Sequence, residues 1–372
     1  MNSKKVTMQD IAKATGVSQT TVSMILNHRY GSFPQETIDA VLDAANSMEY
    51  GFRARRTESA GNVVLVLVTA LTNPFYAYMV QSIDQLATEQ NVRIVTGSTY
   101  HNAEIEQRLV QSAVESNYLG IIYLFPPDNI DAYEKARERV AVVALCNRVR
   151  HIKGDCIQID NFEAGAAAAK HLLDLGHRKI AVFSTSVQGE TTSNATRLAG
   201  IMSEIEKVMP VEDLLILRDN SDWETILSDC DMQFDIGYRL AQNEKIFNNG
   251  ITGIICANDL IAFGAMDYLT SIGYKVPKDF SIIGSDNVRY SRMPQIALTT
   301  VNLHIEVVAS AAFNTLMNRT SLRRIGKDAG TGELVVAVPF ETDEEGNWST
   351  DIRFGRHPAS DVEARNEAER FR

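Results

Sequence analysis

Apolar residues near the start of the chain recur at helical spacing in short blocks. Ile11, Ala12, Val17, Val22 and Leu26 form one seam shared by two short helices. Ile38, Val41, Leu42, Ala45 and Met48 give a third helix its own apolar face. The punctuation agrees with this division. Thr7 is a hydroxyl N-cap with Asp10 at capping-box spacing, Gly16 permits a sharp turn, and Ser18 caps the second helix. Pro34 stands close to the first position of the third helix. Three such helices can close a small core. Gln19, Thr20, Thr21, Ser23 and Met24 are left for an outer face, the kind of surface that reads a DNA major groove. The plain alternative is a helical hairpin packed on another element.

From about residue 62 the pattern changes to short apolar runs that alternate with amphipathic stretches. The runs Val63–Val68, Val92–Gly97, Gly120–Phe125, Ala141–Leu145, Lys179–Ser184, Leu214–Leu217, Gly253–Ala257 and Ser281–Gly284 read as buried strands. Helical patterns lie between most of them, as in Phe75–Glu89, Ile105–Ser116, Glu163–Leu175, Arg197–Val208 and Leu260–Ile272. Such alternation predicts parallel sheet covered on both faces, with too many strands for one ordinary sheet. The expected fold is an N-terminal all-α helix-turn-helix headpiece followed by an α/β body of two doubly wound parallel-sheet lobes. Ligands in such lobes bind beyond the carboxyl ends of the strands.

Composition adds limits. At 372 residues and 45% apolar content the chain can bury two or three cores. Cys146, Cys156, Cys230 and Cys256 lack metal-ligand spacing, so reduced thiols and no metal are expected. The start is polar and runs straight into a folded pattern, and no apolar run is long enough to span a bilayer. A cytoplasmic protein without membrane contact is expected. Residues 1–57 carry a net charge of +2, whereas the whole chain carries −11. An acidic body repels DNA, so nucleic-acid contact is confined to the N-terminal piece, and a weakly basic headpiece argues for two copies on two half-sites. No dinucleotide fingerprint, phosphate loop, nucleophile elbow or zinc-protease motif is present. Neither an enzyme nor a cofactor is expected.

The wording of the segment from VTMQDIAKATGVSQTTVSMILN to MEY closely resembles the DNA-binding headpiece of the LacI/GalR family of bacterial transcriptional regulators. The resemblance continues through Asn73-Pro74-Phe75-Tyr76, Asp160-Asn161-Phe162-Glu163-Ala164-Gly165, His171-Leu172 to Ile180, Arg197-Leu198-Ala199-Gly200, Cys256-Ala257-Asn258-Asp259 and Gly284-Ser285-Asp286-Asn287. It implies a periplasmic-binding-protein-like body closing on an effector, and a homodimer, with a tetramer as the alternative. By the resemblance, Gln19, Thr20 and Met24 sit at base-reading positions, and Thr7, Ser18, Thr21, Ser23, Asn27 and Arg29 at capping or phosphate-side positions. Many members carry Arg where Met24 stands, so a different base pair is expected there. Effector candidates carried over in the same way are Phe75, Ser193, Arg197, Asn258 and Asp286. The set suits a polyol, with forked donors on Arg, paired acceptors on Asp and an aromatic face.

Each candidate has a plainer reading. Phe75 can be core, Arg197 can pair with Asp160, Asp259 can cap a helix, and Asp286 can hold a turn. His177 is read as a turn residue and not as a titrating switch. The resemblance implies residues 1–50 as headpiece, 51–61 as a short basic hinge, 62–160 with about 291–322 as one lobe and 161–290 with about 323–340 as the other. Chain crossovers are then expected near 160, 290 and 322, with 341–372 left as a charged tail of net −4.

Departures stand out at the hinge and beyond it. Phe52 replaces the usual proline and no leucine wedge follows, leaving Arg53, Arg55 and Arg56 to lie along a narrow minor groove or to serve as a flexible basic linker. An operator bent less than usual is expected. Trp223 and Phe234 are candidate second aromatic walls for the effector. The implied function is a sequence-specific repressor of a carbohydrate-utilisation operon, controlled by a sugar between the lobes. The competing readings are a stand-alone solute-binding protein with a degenerate headpiece, and a regulator answering to a partner protein or phosphorylated metabolite.

Overall fold

The computed structural model describes residues 7–26, 33–48, 62–146, 152–185, 193–221, 232–324, 335–338 and 352–353. The chain divides into two compact units, residues 1–60 and 61–372. In the first, helices α1 (Met8–Thr15), α2 (Gln19–Leu26) and α3 (Gln35–Ser47) enclose one core. The Asp10 carboxylate receives both the backbone N–H and the hydroxyl of Thr7, each at 2.7 Å. Gly16 ends α1 at φ +71°, a left-handed conformation that costs glycine little. Ile11, Val22, Ile25 and Val41 are wholly buried, with Ile38 and Ala45 beside them. Ile25, one turn from Val22, holds the centre, and Leu26 packs at the margin.

The larger unit carries two six-stranded sheets. The first contains β1 (Val63–Val68), β2 (Arg93–Ser98), β3 (Gly120–Tyr123), β4 (Ala141–Cys146), β5 (Asp155–Ile159) and β11 (Val335–Val338). Its order is β2-β1-β3-β4-β5-β11, all parallel. The second contains β6 (Ile180–Thr185), β7 (Leu215–Asp219), β8 (Gly253–Cys256), β9 (Ser281–Ser285), β10 (Thr299–Val301) and β12 (Ile352–Arg353). Its order is β7-β6-β8-β9-β10-β12, parallel except for β12 against β10. Every residue of β1 and β6 is buried, as strands covered by helices on both faces require.

Helices α4 (Pro74–Glu89), α5 (Ala103–Glu115), α6 (Ile130–Arg139) and α12 (Ile305–Arg324) belong to the first lobe. Helices α7 (Asn161–Asp174), α8 (Ser193–Glu206), α9 (Met232–Ala241), α10 (Glu244–Asn248) and α11 (Asp259–Ser271) belong to the second. No helix among the described residues is long and apolar enough to cross a membrane.

The lobe boundaries differ from those expected. The chain enters the second lobe at Asp160, but it returns after Val301 and not near residue 290, because Thr299–Val301 pairs in register with β9. A three-residue strand reading Thr-Thr-Val is too short and too polar to stand out as an apolar run. Helix α12 then packs on the first sheet, where Arg319 grips Asp155 of β5 through two bonds of 2.5 and 2.6 Å. Val335–Val338 pairs with β5, so this segment is first-lobe sheet instead of second-lobe. Ile352–Arg353 pairs back with β10. The third passage between lobes therefore falls after Val338 and not near 322, and the stretch counted as tail contributes a strand to the second lobe.

Candidate functional site

In the first unit the outer face of α2 is open. Gln19, Thr20 and Met24 are exposed, and Thr21 and Ser23 are half-buried. The Ser18 hydroxyl accepts the Thr21 N–H at 3.0 Å and lies 2.8 Å from the Thr21 hydroxyl. Ser18 and Thr21 thus fix the start of α2, and Thr7 fixes the start of α1. The residues left with unspent chemistry for a groove are Gln19, Thr20 and Met24. Asn27, Arg29, Arg53, Arg55 and Arg56 lie outside the described residues, as does the whole expected hinge 51–61.

In the larger unit the carboxyl ends of the strands bring together most of the expected effector residues. Arg197 is set in place by helix packing. A Cβ on Gly165 of α7 would stand 1.9 Å from the Arg197 carbonyl oxygen, and one on Gly200 of α8 would stand 1.9 Å from the Phe162 carbonyl oxygen. Only hydrogen at both crossing points lets α7 and α8 approach so closely. From that position the guanidinium donates to Asn161 Oδ1 at 2.7 Å and to the carbonyl of Ala257, which directly follows β8. Its Nε is buried and has no partner among the described residues. Burial pulls this guanidinium below its ordinary range, and Asp286 and Asp259 pull it back.

Asp286 follows β9 in a left-handed conformation, φ +116°, a strain that non-glycine residues sustain chiefly at functional sites. It is only 7% exposed. Burial holds its carboxyl well above the usual carboxylate range, with Arg197 opposing and Asp259 reinforcing. The neighbouring Ser285 Oγ and Asn287 Nδ2 are also buried without a partner among the described residues. Native interiors rarely leave such atoms unsatisfied, which sets this cluster apart from the hydrogen-bonded polar groups around it.

Asn258 caps α11, its Oδ1 accepting the Ile261 N–H at 3.0 Å. The cap expected of Asp259 is therefore supplied by Asn258. Asp259 instead accepts from Val288 N at 2.9 Å, Ser291 Oγ at 2.6 Å and Thr300 Oγ1 at 2.5 Å, and burial pushes its carboxyl up to about 6. It ties the loop after β9 to β10. Arg197 bonds Asn161 and not Asp160, whose own carboxylate caps α7 through Glu163 N at 3.1 Å. His177 is wholly buried in the turn after α7 with Nδ1 2.8 Å from Thr252 Oγ1.

Phe75 packs against the cores of both lobes and meets Tyr76 edge-on at 5.3 Å. Ser193 is the first residue of α8 and is half-buried. Phe234 is half-buried on α9, its carbonyl backing onto Gly264 of α11, and Trp223 lies outside the described residues. The second aromatic wall thus has one described candidate.

In the first lobe, sequence reasoning singled out Phe75 but not the polar groups near it. Tyr76 is hydrogen-bonded to Thr69 and feels both Asp286 and Asp128, and burial pushes its hydroxyl up to about 12. His101 Nδ1 lies 2.8 Å from Asp128 Oδ2 after β2 and β3. Beneath them buried Glu106 accepts the N–H groups of Asp128 and Asn129 at 3.0 and 3.1 Å. The carboxyl-end rule alone points to these loops, since no motif marks them. Gln233 of α9 was missed as well. It accepts from Asn258 Nδ2 at 2.8 Å and from Asn73 Nδ2 at 3.4 Å.

Residues 7–51 match the family described as bacterial regulatory proteins, lacI family, and residues 169–338 match the periplasmic binding protein-like domain. The HTH-type transcriptional regulator DegA of Bacillus subtilis (strain 168) is 29% identical over 319 residues, 84% of this chain and 90% of DegA. Among solved structures, the transcriptional regulator CelR in complex with cellobiose aligns at TM-score 0.60 and 20% identity, covering 89% of this chain and 97% of CelR. The lac repressor dimer bound to operator and the anti-inducer ONPF aligns at TM-score 0.61 and 21% identity, covering 94% and 99%. A capped three-helix headpiece, a body of two doubly wound lobes and these matches converge on a DNA-binding transcriptional regulator with a lacI-family headpiece and a periplasmic binding protein-like body.

Proposed function

We propose that the protein represses a carbohydrate-utilisation operon and that a sugar held between the lobes of its body controls operator affinity. The observation that carries this reading is the cluster at the carboxyl ends of β8 and β9. There Arg197 Nε, Ser285 Oγ and Asn287 Nδ2 are buried without partners among the described residues, beside Asp286, whose backbone is held at φ +116°. A polyol supplies the alternating donors and acceptors that such a cluster lacks. The solved relative CelR holds cellobiose, and the lac repressor holds operator and anti-inducer together, which supports the same division of labour here.

Operator reading falls to Gln19, Thr20 and Met24 on the exposed face of α2, in two copies of the chain bound to two half-sites. Gln pairs bidentately with adenine, Thr meets a thymine methyl, and Met adds an apolar contact. Effector binding favours one arrangement of the lobes and so shifts the population between states of different operator affinity.

The test is a thermal-shift screen against mono- and disaccharides, sugar phosphates and nucleobases. A ligand at a hundred times its dissociation constant adds about 2.7 kcal/mol of stability. The expected outcome is a carbohydrate hit that disappears in Asp286→Ala and Arg197→Ala. A hit that survives both substitutions, or a hit confined to nucleobases, contradicts the reading.

A further inference from the structure

Two helices of opposite lobes begin with asparagine caps, and one glutamine stands between them. Asn73 precedes α4 in the first lobe, and its Oδ1 accepts the Phe75 N–H at 2.9 Å. Asn258 precedes α11 in the second lobe, and its Oδ1 accepts the Ile261 N–H at 3.0 Å. With both oxygens turned to helix N–H groups, each asparagine directs its amide nitrogen away from its own helix. Both nitrogens are directed to the same atom, Gln233 Oε1, at 2.8 Å from Asn258 and 3.4 Å from Asn73.

This logic fixes the Gln233 amide without reference to anything else. Two donors converge on its oxygen, so the oxygen faces the two caps and the Nε2 faces away from them. The donors on Nε2 have no partner among the described residues. The residue is half-buried and bonded to Asn258, which directly follows Ala257, the residue whose carbonyl accepts from Arg197. The longer of the two bonds is the one that joins the lobes. A change in lobe separation would break or shorten it.

We propose that Gln233 both latches the two lobes through the paired asparagine caps and presents its Nε2 donors to an acceptor oxygen of the effector. The donor role rests on the reading of the cleft as an effector site; the latch does not. Closure and recognition then share one side chain. An effector with an oxygen at that position holds Gln233 in place and thereby holds the lobes at the separation that Asn73 and Asn258 define. A ligand lacking that oxygen leaves two amide hydrogens unsatisfied in a half-buried site.

Two variants of the full-length chain separate the roles. Gln233→Glu keeps an oxygen for both asparagines but removes the donors, whereas Gln233→Leu removes both. Amide hydrogen exchange without ligand reads the latch. Gln233→Leu is expected to speed exchange several-fold in the first turns of α4 and α11, at Phe75 and Ile261, while Gln233→Glu stays close to wild type. Unchanged exchange in Gln233→Leu overturns the latch.

Calorimetric titration with cellobiose, ribose and every other sugar that stabilises the wild type reads the donor. A loss of at least tenfold in affinity is expected in Gln233→Glu. A sugar bound equally by wild type and Gln233→Glu overturns the donor role while leaving the cleft reading intact. Silence of the wild type towards the whole sugar library overturns the cleft reading and the donor role with it, and the exchange data still decide the latch.

Discussion

Asp259 and Asp286 are both buried carboxylates of the second lobe, yet their surroundings assign them different work. Asp259 accepts three hydrogen bonds and holds a loop to a strand. Asp286 is held at φ +116° beside Ser285 Oγ and Asn287 Nδ2, which are buried without a partner among the described residues, and in the proposed function it is the one that meets the effector. His177 shows how burial turns a titratable residue into a stability device. Burial first, with His171 and Arg178 nearby, lowers its imidazole from 6.5 to about 4. The unfolded chain takes up a proton below about pH 6.5 and the native protein only near pH 4. The contribution is therefore complete above pH 6.5 and drains away as pH falls towards 4, by about 3 kcal/mol in all. Urea unfolding of wild type should weaken across that window, and His177→Gln should show a flatter dependence; equal slopes would contradict the assignment. On the headpiece, Met24→Arg should shift preference towards guanine at one base pair by about 1–3 kcal/mol, read by selection from random DNA. Identical selected sites for both proteins would sink that role for Met24.

Helix pairs of the second lobe are built around glycine. Gly165 with Gly200 brings α7 onto α8, and Gly237 with Gly264 brings α9 onto α11. The first pair sets the root of Arg197, so packing and recognition meet in one contact. Gly165→Ala is expected to cost about 1–3 kcal/mol of stability through overpacking. It should also weaken effector binding by displacing Arg197; a variant with wild-type melting temperature and affinity would show that the helices have room to part. The elements that the sequence displays plainly are those whose burial is uniform, such as Val63–Val68 with six consecutive apolar residues. Thr299–Val301 escaped because a strand of three residues, two of them threonine, leaves no apolar run. It moved a lobe boundary with it. Arg197, Asn258 and Asp286 could be singled out because the family wording carries them; Asn258 and Asp286 follow β8 and β9, and Arg197 reaches the same end from α8 by bonding the Ala257 carbonyl. Gln233, His101 and Asp128 could not. Their importance comes from partners distant in sequence, as in the contact of Gln233 with Asn73, and no local spacing encodes such a meeting.

Across the whole molecule, the body is one chain that passes between its lobes three times, after Ile159, after Val301 and between Val338 and Ile352. Three passages let the lobes change separation while keeping a common axis, which suits a binding event that must be felt elsewhere in the chain. In the proposed function, operator and effector are linked through one equilibrium between lobe arrangements. Linkage is reciprocal, so each ligand must alter the affinity of the other by the same factor. The most direct measurement titrates the selected operator with and without saturating effector by fluorescence anisotropy, and titrates effector with and without saturating operator by calorimetry. The account predicts the same factor from both directions, about 5- to 150-fold for a typical coupling. Effector affinity that is equal with and without operator would contradict it.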